Sequence, residues 1–409
     1  MTPAATPRAD APPLDAPAAL ATPTLLLMAV ATGLCAGSNY FNQPLLHSIA
    51  HGLHVSEATA ALTVTLSQLA YASGLLLFVP LADKLERRAL TVGLMLLAAL
   101  GLSLSAVASN FAMLAAGTLV TGLFSVAAQT LVPMAAVLAE PQRSGRAVGI
   151  VMSGLLGGIL VARSAAGFLS DLGGWNTVYQ AAALCMVVLA AMLWRTLPRS
   201  RNTVPMRYRD ILGSLLTLTA CHPRLRSRAL LGALSFASVS VLLSSTTLLL
   251  SGPAFGMSDS HIGLVGMLGV AGAVMASITG RLADRGWGQA TSALGVLLLV
   301  FGWACLSMGA TSLAWLLAGT LAVDIALASL HISNQSVIYQ LEPAARARVN
   351  AVYMTCYFAG AATGSALASL AWSRGGWQGV CMTGAALAVL SGCALVHDHV
   401  LARVHTRQG

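Results

Sequence analysis

Asp324 and His331 stand seven residues apart within one long apolar run of this chain, and Arg163 lies within another. At about 100° per residue, a seven-residue step returns to the same helix face, and Gln335 follows one turn later. A carboxylate and an imidazole gain and lose protons, whereas a guanidinium stays charged. A trio of this kind suits the coupling of proton uptake to another event. Charges at mid-bilayer cost about 2.5–3.5 kcal/mol each on insertion scales, so their retention calls for a use. The competing explanation is simple hydrogen bonding between helices. Counted inward from the outer ends of their runs, Arg163 lies about 8 residues deep and Asp324 about 12, roughly 12 and 18 Å. Those depths allow the two to meet. Glu57, Asp171, His47 and the His-Asp-His stretch at 397–399 fall nearer the ends.

The elements that must hold these groups follow from composition. Hydrophobic residues make up 57% of the chain and charged residues 9%, against about 45–50% and about 25% in soluble domains. Runs of roughly 20 apolar residues are long enough to cross a hydrocarbon core of about 30 Å. Such runs occupy 24–48, 58–80, 89–108, 111–138, 147–170, 176–197, 228–251, 260–280, 290–309, 313–338, 348–372 and 378–400. They are unbroken and lack the ten-residue alternation of barrel strands, which predicts helices. The expected fold is an all-α membrane protein of twelve transmembrane helices in two six-helix halves, 24–197 and 228–400. Residues 1–23, rich in Pro and Ala, read as a disordered tail rather than a signal peptide. The polar stretch 198–227 reads as the linker, and 401–409 as a short tail. The seven cysteines form neither a disulfide framework nor a metal-ligand spacing, so no metal or cofactor is expected. Without a Walker-type Gly-Lys-Ser/Thr sequence, ATP-driven transport is disfavoured.

The formal charge of +9 has a topological meaning. With the amino terminus inside, all of the 22 Lys and Arg residues except Arg163 and Arg374 fall on cytoplasmic segments. Basic residues in short loops are retained on the cytoplasmic side. Both termini and the linker are therefore expected to be cytoplasmic, in a bacterial inner membrane, with no nucleic-acid partner.

An internal repeat is legible. Asp83 in LADK recurs as Asp284 in LADR, a shift of 284 − 83 = 201. Glu140 and Arg146 recur as Glu342 and Arg348, and Trp175 in GGW recurs as Trp377, each at a shift of 202. Matches in one register predict two halves of the same orientation, related by an axis along the membrane normal.

At these residues the chain resembles the major facilitator superfamily of secondary transporters over 24–400. The family's loop pattern, Gly-x-Leu-Ala-Asp-Arg-x-Gly-Arg-Lys, is matched by Leu81, Ala82, Asp83, Lys84, Arg87 and Arg88, with Val79 and Glu86 standing where glycines belong. Gly280, Leu282, Ala283, Asp284 and Arg285 match it again. The resemblance implies a conformational latch made of Asp83, Lys84, Arg87, Arg88, Arg143, Arg146, Asp284 and Arg285, with Asp83 clasping the start of the eleventh helix. The alternative is a set of solvated loop charges.

NYFNQPLL (39–46), SQLAYASGLLL (67–77), MSGLLGGILVARSAAG (152–167) and HISNQSVIYQLEP (331–343) are similar to the bacterial drug:proton antiporter branch that includes sugar and nucleoside exporters. GLLGG at 154–158 resembles the antiporter signature Gly-Pro-x-x-Gly-Gly, with Leu155 for proline and one position lost; close helix packing is the plainer reading. The Arg that many such antiporters carry four residues before a fourth-helix Gly is Thr118 here, preceding Gly122. Proton coupling is accordingly expected from Asp324, with Arg163 as its charge partner and His331 next in line. The resemblance places the first, fourth, seventh and tenth helices around a cavity. Tyr40, Asn42, Gln43, Gln68, Tyr71, Gln129, Ser244, Thr246, Asn334 and Gln335 are the candidate substrate contacts. The function implied is alternating-access, proton-coupled efflux of small organic molecules such as drugs, sugars or nucleosides by a monomer in the lipid bilayer. A proton-linked importer of a polar metabolite is the runner-up; a receptor or enzyme would need a soluble domain or catalytic constellation that the sequence lacks.

Overall fold

The computed structural model describes residues 22–139, 144–200, 208–282, 287–342 and 346–408. Among them the regular structure is almost entirely helix, and each of the twelve apolar runs contains helix. The first half comprises α1 (Thr22–Gly37), α2 (Leu46–Gly52), α3 (Glu57–Phe78), α4 (Arg87–Ala106), α5 (Phe111–Phe124), α6 (Ala127–Leu138), α7 (Ser144–Gly173) and α8 (Trp175–Thr196). After α9 (Tyr208–Cys221) come α10 (Pro223–Ser251), α11 (Asp259–Val265), α12 (Gly269–Leu282), α13 (Gly288–Ser307), α14 (Leu313–Leu341) and α15 (Arg346–Gln408). Residues 22 and 23, which read as tail in the sequence, are already helical, and helix continues through 401–408, which also reads as a tail. Nine described helices are long and apolar enough to cross a membrane, one of them, Arg348–Arg403, running to 56 residues.

Three of the apolar runs are bent where sequence reading expects continuous helix. The first stops at Gly37 and turns through 38–45, because Ser38 Oγ donates to Cys35 O (2.8 Å) and Pro44 has no N–H to continue the ladder. The fourth leaves the α-helical pattern at Ser125 and Val126, between α5 and α6. The eighth tightens into a 3₁₀ turn at Gly266–Leu268.

The repeat has a backbone counterpart. Gly174, which caps α8, has φ 82°, and Gly376, which divides α15, has φ 53°. The separation, 376 − 174 = 202, is that of the tryptophans that follow them. Both joints need a left-handed residue, which glycine adopts without strain. Close packing repeats too. A Cβ on Gly158 would fall on the backbone of Gly33, and one on Gly360, 360 − 158 = 202 residues later, on Ala233. α7 is thereby pressed onto α1, and α15 onto α10, as small residues permit in a bilayer.

α9 marks one end of the bundle, here the linker end. Tyr208 Oη donates to Leu77 O at 2.6 Å, fixing α9 to the end of α3. Glu86 caps α4: its carboxylate accepts from the N–H groups of Arg88 (3.0 Å), Ala89 (2.9 Å) and Ser200 (3.1 Å). The departure from the family's glycine at 86 therefore supplies a cap and a tie to the end of α8.

Candidate functional site

Arg163 on α7 and Asp324 on α14 come from opposite halves and line one cavity, of about 40 Å³, with Gln43, Thr246 and Thr320. Both residues thus border a common space. Among the described residues no N···O contact of 4.0 Å or less joins them. Arg163 instead lies over Tyr40, its Cζ 5.3 Å from the ring centroid, with Nε buried and unpartnered. Gln43 is 4% exposed and its Oε1 has no partner. The threonine hydroxyls donate to their own helices, Thr246 to Leu242 O and Thr320 to Leu316 O, both at 2.8 Å. Their oxygens remain acceptors.

The bend in the first run makes this arrangement possible. By leaving the helical path after Gly37, it carries Tyr40 beneath Arg163 and Gln43 to the other half, where Thr247 Oγ1 donates to the Gln43 carbonyl at 2.5 Å. Further contacts join the halves at the end away from the linker. Asp259 at the start of α11, 6% exposed, accepts from Ser48 Oγ and from Ser170 Oγ (2.8 Å), both of the first half. Asp171 Oδ2 accepts from Ser260 N at 3.3 Å, and Ser164 Oγ donates to Gly263 O at 3.1 Å.

Toward the linker end lies an aromatic cluster. Tyr71 of α3 meets Phe358 of α15 across the halves, centroids 4.5 Å apart, and Gln129 Nε2 donates to the Tyr71 hydroxyl at 3.3 Å. Phe236 stacks on Tyr357 at 4.1 Å, and His331 lies 4.6 Å from the Tyr357 ring. His331 Nδ1 is 3.1 Å from the Tyr353 hydroxyl. It is thus engaged with α15 rather than with the Arg163 cavity. Tyr353, Tyr357, Phe236 and Phe358 are absent from the sequence candidates because aromatic residues in apolar runs look like ordinary core.

The other candidates separate by location. Asn42 bonds Thr63 (3.2 Å) within the first half, and Ser244 bonds Ser365 (3.0 Å) within the second. Gln68 is buried, 1% exposed. Gln335 reaches Asn350 at 3.4 Å. Asn334 is fully buried and accepts from Arg228 at 3.1 Å. Arg228 belongs to a network that sequence reading missed: it donates to Ser292 (3.0 Å) and Gln289 (3.0 Å) and pairs with Asp398, which also faces Arg224 at 3.6 Å. The readable signal was one opposite charge at each of two run ends on the same side.

Of the latch candidates, Arg87 and Arg88 are engaged with the end of α8 and the start of the linker. Arg87 N donates to Ser200 O at 2.9 Å. Arg88 donates to Trp194 O and Leu197 O (3.3 and 3.2 Å), closing the carboxyl end of α8, and lies 4.5 Å over the Trp194 ring. Lys84 ends the 3₁₀ turn that follows α3, and Arg146 is exposed. Arg143, Asp284, Arg285 and the side chain of Asp83 lie outside the described residues. In the GLLGG stretch, Gly154 and Gly158 approach the α1 backbone while Gly157 faces open space, which is the packing arrangement.

A family model described as Major Facilitator Superfamily matches residues 28–292 and 229–406. The transporter YgaY of Escherichia coli O157:H7 is 46% identical over 367 residues, covering 90% of this chain and 93% of that protein. A chloramphenicol resistance protein of Streptomyces lividans is 30% identical over 304 residues, 69% of this chain and 72% of its own. Among solved structures, a mutant of the nucleoside transporter NupG superposes with a TM-score of 0.73 at 14% identity, covering 91% of this chain and 99% of that one. The human organic anion transporter MFSD10 gives 0.68 at 19%, covering 91% and 98%.

Proposed function

The chain belongs to the Major Facilitator Superfamily, and on that premise we propose that this membrane transporter is a proton-coupled exporter of small organic molecules. The observation that carries this reading is that Arg163 and Asp324, from opposite halves, face one cavity without pairing. A carboxylate so placed exchanges partners as the halves rock. Near Arg163 it is favoured as the anion; moved away from Arg163 into an apolar surrounding, it is favoured as the protonated acid. Proton binding and cargo binding at Asp324 then alternate, which is antiport.

In this reading the segments 24–197 and 228–400 are the moving bodies and 198–227 is their tether. The linker end and both termini face the cytoplasm, in keeping with the distribution of basic residues. The contacts of Asp259, Gln43 and Ser164 at the opposite end correspond to a closed outer gate. The aromatic cluster of Tyr71, Phe236, Tyr357 and Phe358 supplies apolar surface to a cargo passing toward or from the cytoplasm, and His331 is the reserve proton site.

Proteoliposomes separate the alternatives. Chloramphenicol, in the name of one relative, is the first compound to try, with and without a pH gradient. Asp324→Asn is expected to lose gradient-driven accumulation and keep downhill exchange. Accumulation that survives the substitution removes Asp324 from coupling and passes the role to His331.

A further inference from the structure

We infer that the cargo head group is a small zwitterion, a carboxylate and an ammonium on neighbouring carbons, held between Arg163 and Asp324; this rests on the transport reading above and narrows its substrate class. The polar groups that line the cavity are unequal in kind. One cation, the Arg163 guanidinium, lines it with its Nε buried and unpartnered, and the Gln43 amide adds a neutral N–H donor. With it are acceptors: the Asp324 carboxylate, the unpartnered Oε1 of Gln43, and the Thr246 and Thr320 oxygens, whose protons are given to their own helices. A guanidinium takes a carboxylate through paired N–H donors. An ammonium has three donors and no acceptor, which suits the acceptor side.

Charge balance decides among ligand classes. A plain anion on Arg163 leaves Asp324 repelled by it, and a plain cation on Asp324 leaves it repelled by Arg163. A zwitterion satisfies both and leaves the site neutral. Its ammonium displaces the proton from Asp324, so cargo and proton compete there, as antiport requires. Leu243, Ile262 and Val265 border the same space and suit an apolar side chain. The volume of about 40 Å³ corresponds to roughly three waters, at about 10–15 Å³ for each. A whole amino acid therefore enters only as the halves part.

The test uses the purified full chain in nanodiscs, with binding followed calorimetrically at pH 7.5. The probes are L-leucine, L-leucine methyl ester (cation), N-acetyl-L-leucine (anion) and N-acetyl-L-leucine amide (neutral). L-leucine is expected to bind at least tenfold more tightly than the other three, and more weakly as pH falls. Arg163→Gln should erase its advantage over the methyl ester, and Asp324→Asn its advantage over the N-acetyl compound. Gln43→Leu, which touches neither charge, should weaken leucine alone and guards against a charge variant that fails to fold. Equal or tighter binding of any other probe, or no binding of leucine, overturns the inference. Flux in proteoliposomes keeps the two claims apart. Gradient-driven transport of chloramphenicol without leucine binding sinks the zwitterion and spares the exporter. Leucine binding with no gradient-driven flux of leucine or chloramphenicol sinks proton-coupled export instead.

Discussion

Arg228 Nη2 lies 2.6 Å from Asp398 Oδ2, and both side chains are fully inaccessible. The pair joins α10 to the last turns of α15; Ser292 and Asn334 accept from Nη1 and Gln289 from Nη2, while Nε is buried without a partner. Removing one partner of such a pair strands the other charge in an apolar interior, at about 3–5 kcal/mol. Asp398→Asn is therefore expected to lose most folded protein in detergent, judged by size-exclusion profile and melting temperature. The double variant Arg228→Met with Asp398→Leu, which strands no charge, should recover most of it. A stable Asp398→Asn protein would show that the pair contributes little.

Asp259 accepts from Ser48 and Ser170 across the halves, and hydrogen bonds to a charged group are each worth about 1.5–3 kcal/mol. Asp259→Ala should shift the conformational equilibrium toward the state open at that end by roughly tenfold or more. A cysteine introduced at Gln43, in a background free of other cysteines, should then react faster with an impermeant maleimide. Unchanged labelling would mean that the surrounding contacts hold the gate without Asp259.

Glu86 caps α4, and substitution of a capping residue by Ala costs about 0.5–2 kcal/mol. Partial burial raises its carboxyl pKa, but the N–H groups of Ala89, Ser200 and Arg88 and the Arg88 charge outweigh this and hold it below the usual 4.5. A depressed folded-state pKa means that the stabilisation is present above 4.5 and disappears as pH falls through the folded value. Glu86→Ala should melt lower than wild type at pH 7, and the gap should close below pH 4.5. A gap that persists or widens there would contradict the carboxylate cap.

Gly376 has φ 53° with open space around its Cα, and its neighbour Gly375 has open space without positive φ. Steric crowding is therefore not the issue at either position. Gly376→Ala should cost about 1–2 kcal/mol from the left-handed backbone alone, whereas Gly375→Ala should be neutral or mildly stabilising. Paired melting curves decide it, and equal effects would place the strain elsewhere.

The helical membrane fold and the candidacy of Arg163 and Asp324 were legible because a bilayer makes apolar length and rare charges conspicuous, whereas His331, grouped with them by its spacing, meets α15 instead. Arg163 and Asp324 stood out for that reason. Arg228 and Asp398 did not: each sits near the end of its run, where sequence cannot separate a snorkelling charge from an inward one. The bends at 38–45 and 266–268 were equally hidden. Gly33 and Gly266 are both glycines in apolar runs, yet one lies in a straight helix and the other opens a 3₁₀ turn. Asn42 and Ser244 were drawn as cavity groups because their residue types suit ligands. Their partners Thr63 and Ser365 lie far along the chain or on another helix, and only the fold reveals them.

The glycine contacts of α7 with α1 and of α15 with α10 have a mechanical meaning. Where main chain rests on main chain, no side-chain rotamer intervenes to absorb a displacement. A push on Arg163 therefore reaches Tyr40 and the turn at 38–45 with almost no lost motion. In each half the two helices in question behave as a single lever, so that compliance is confined to the bends in the first, fourth and eighth runs. On the proposed coupling, stiff arms with a few soft joints would let the departure of one proton be felt at Asp259, at the far rim.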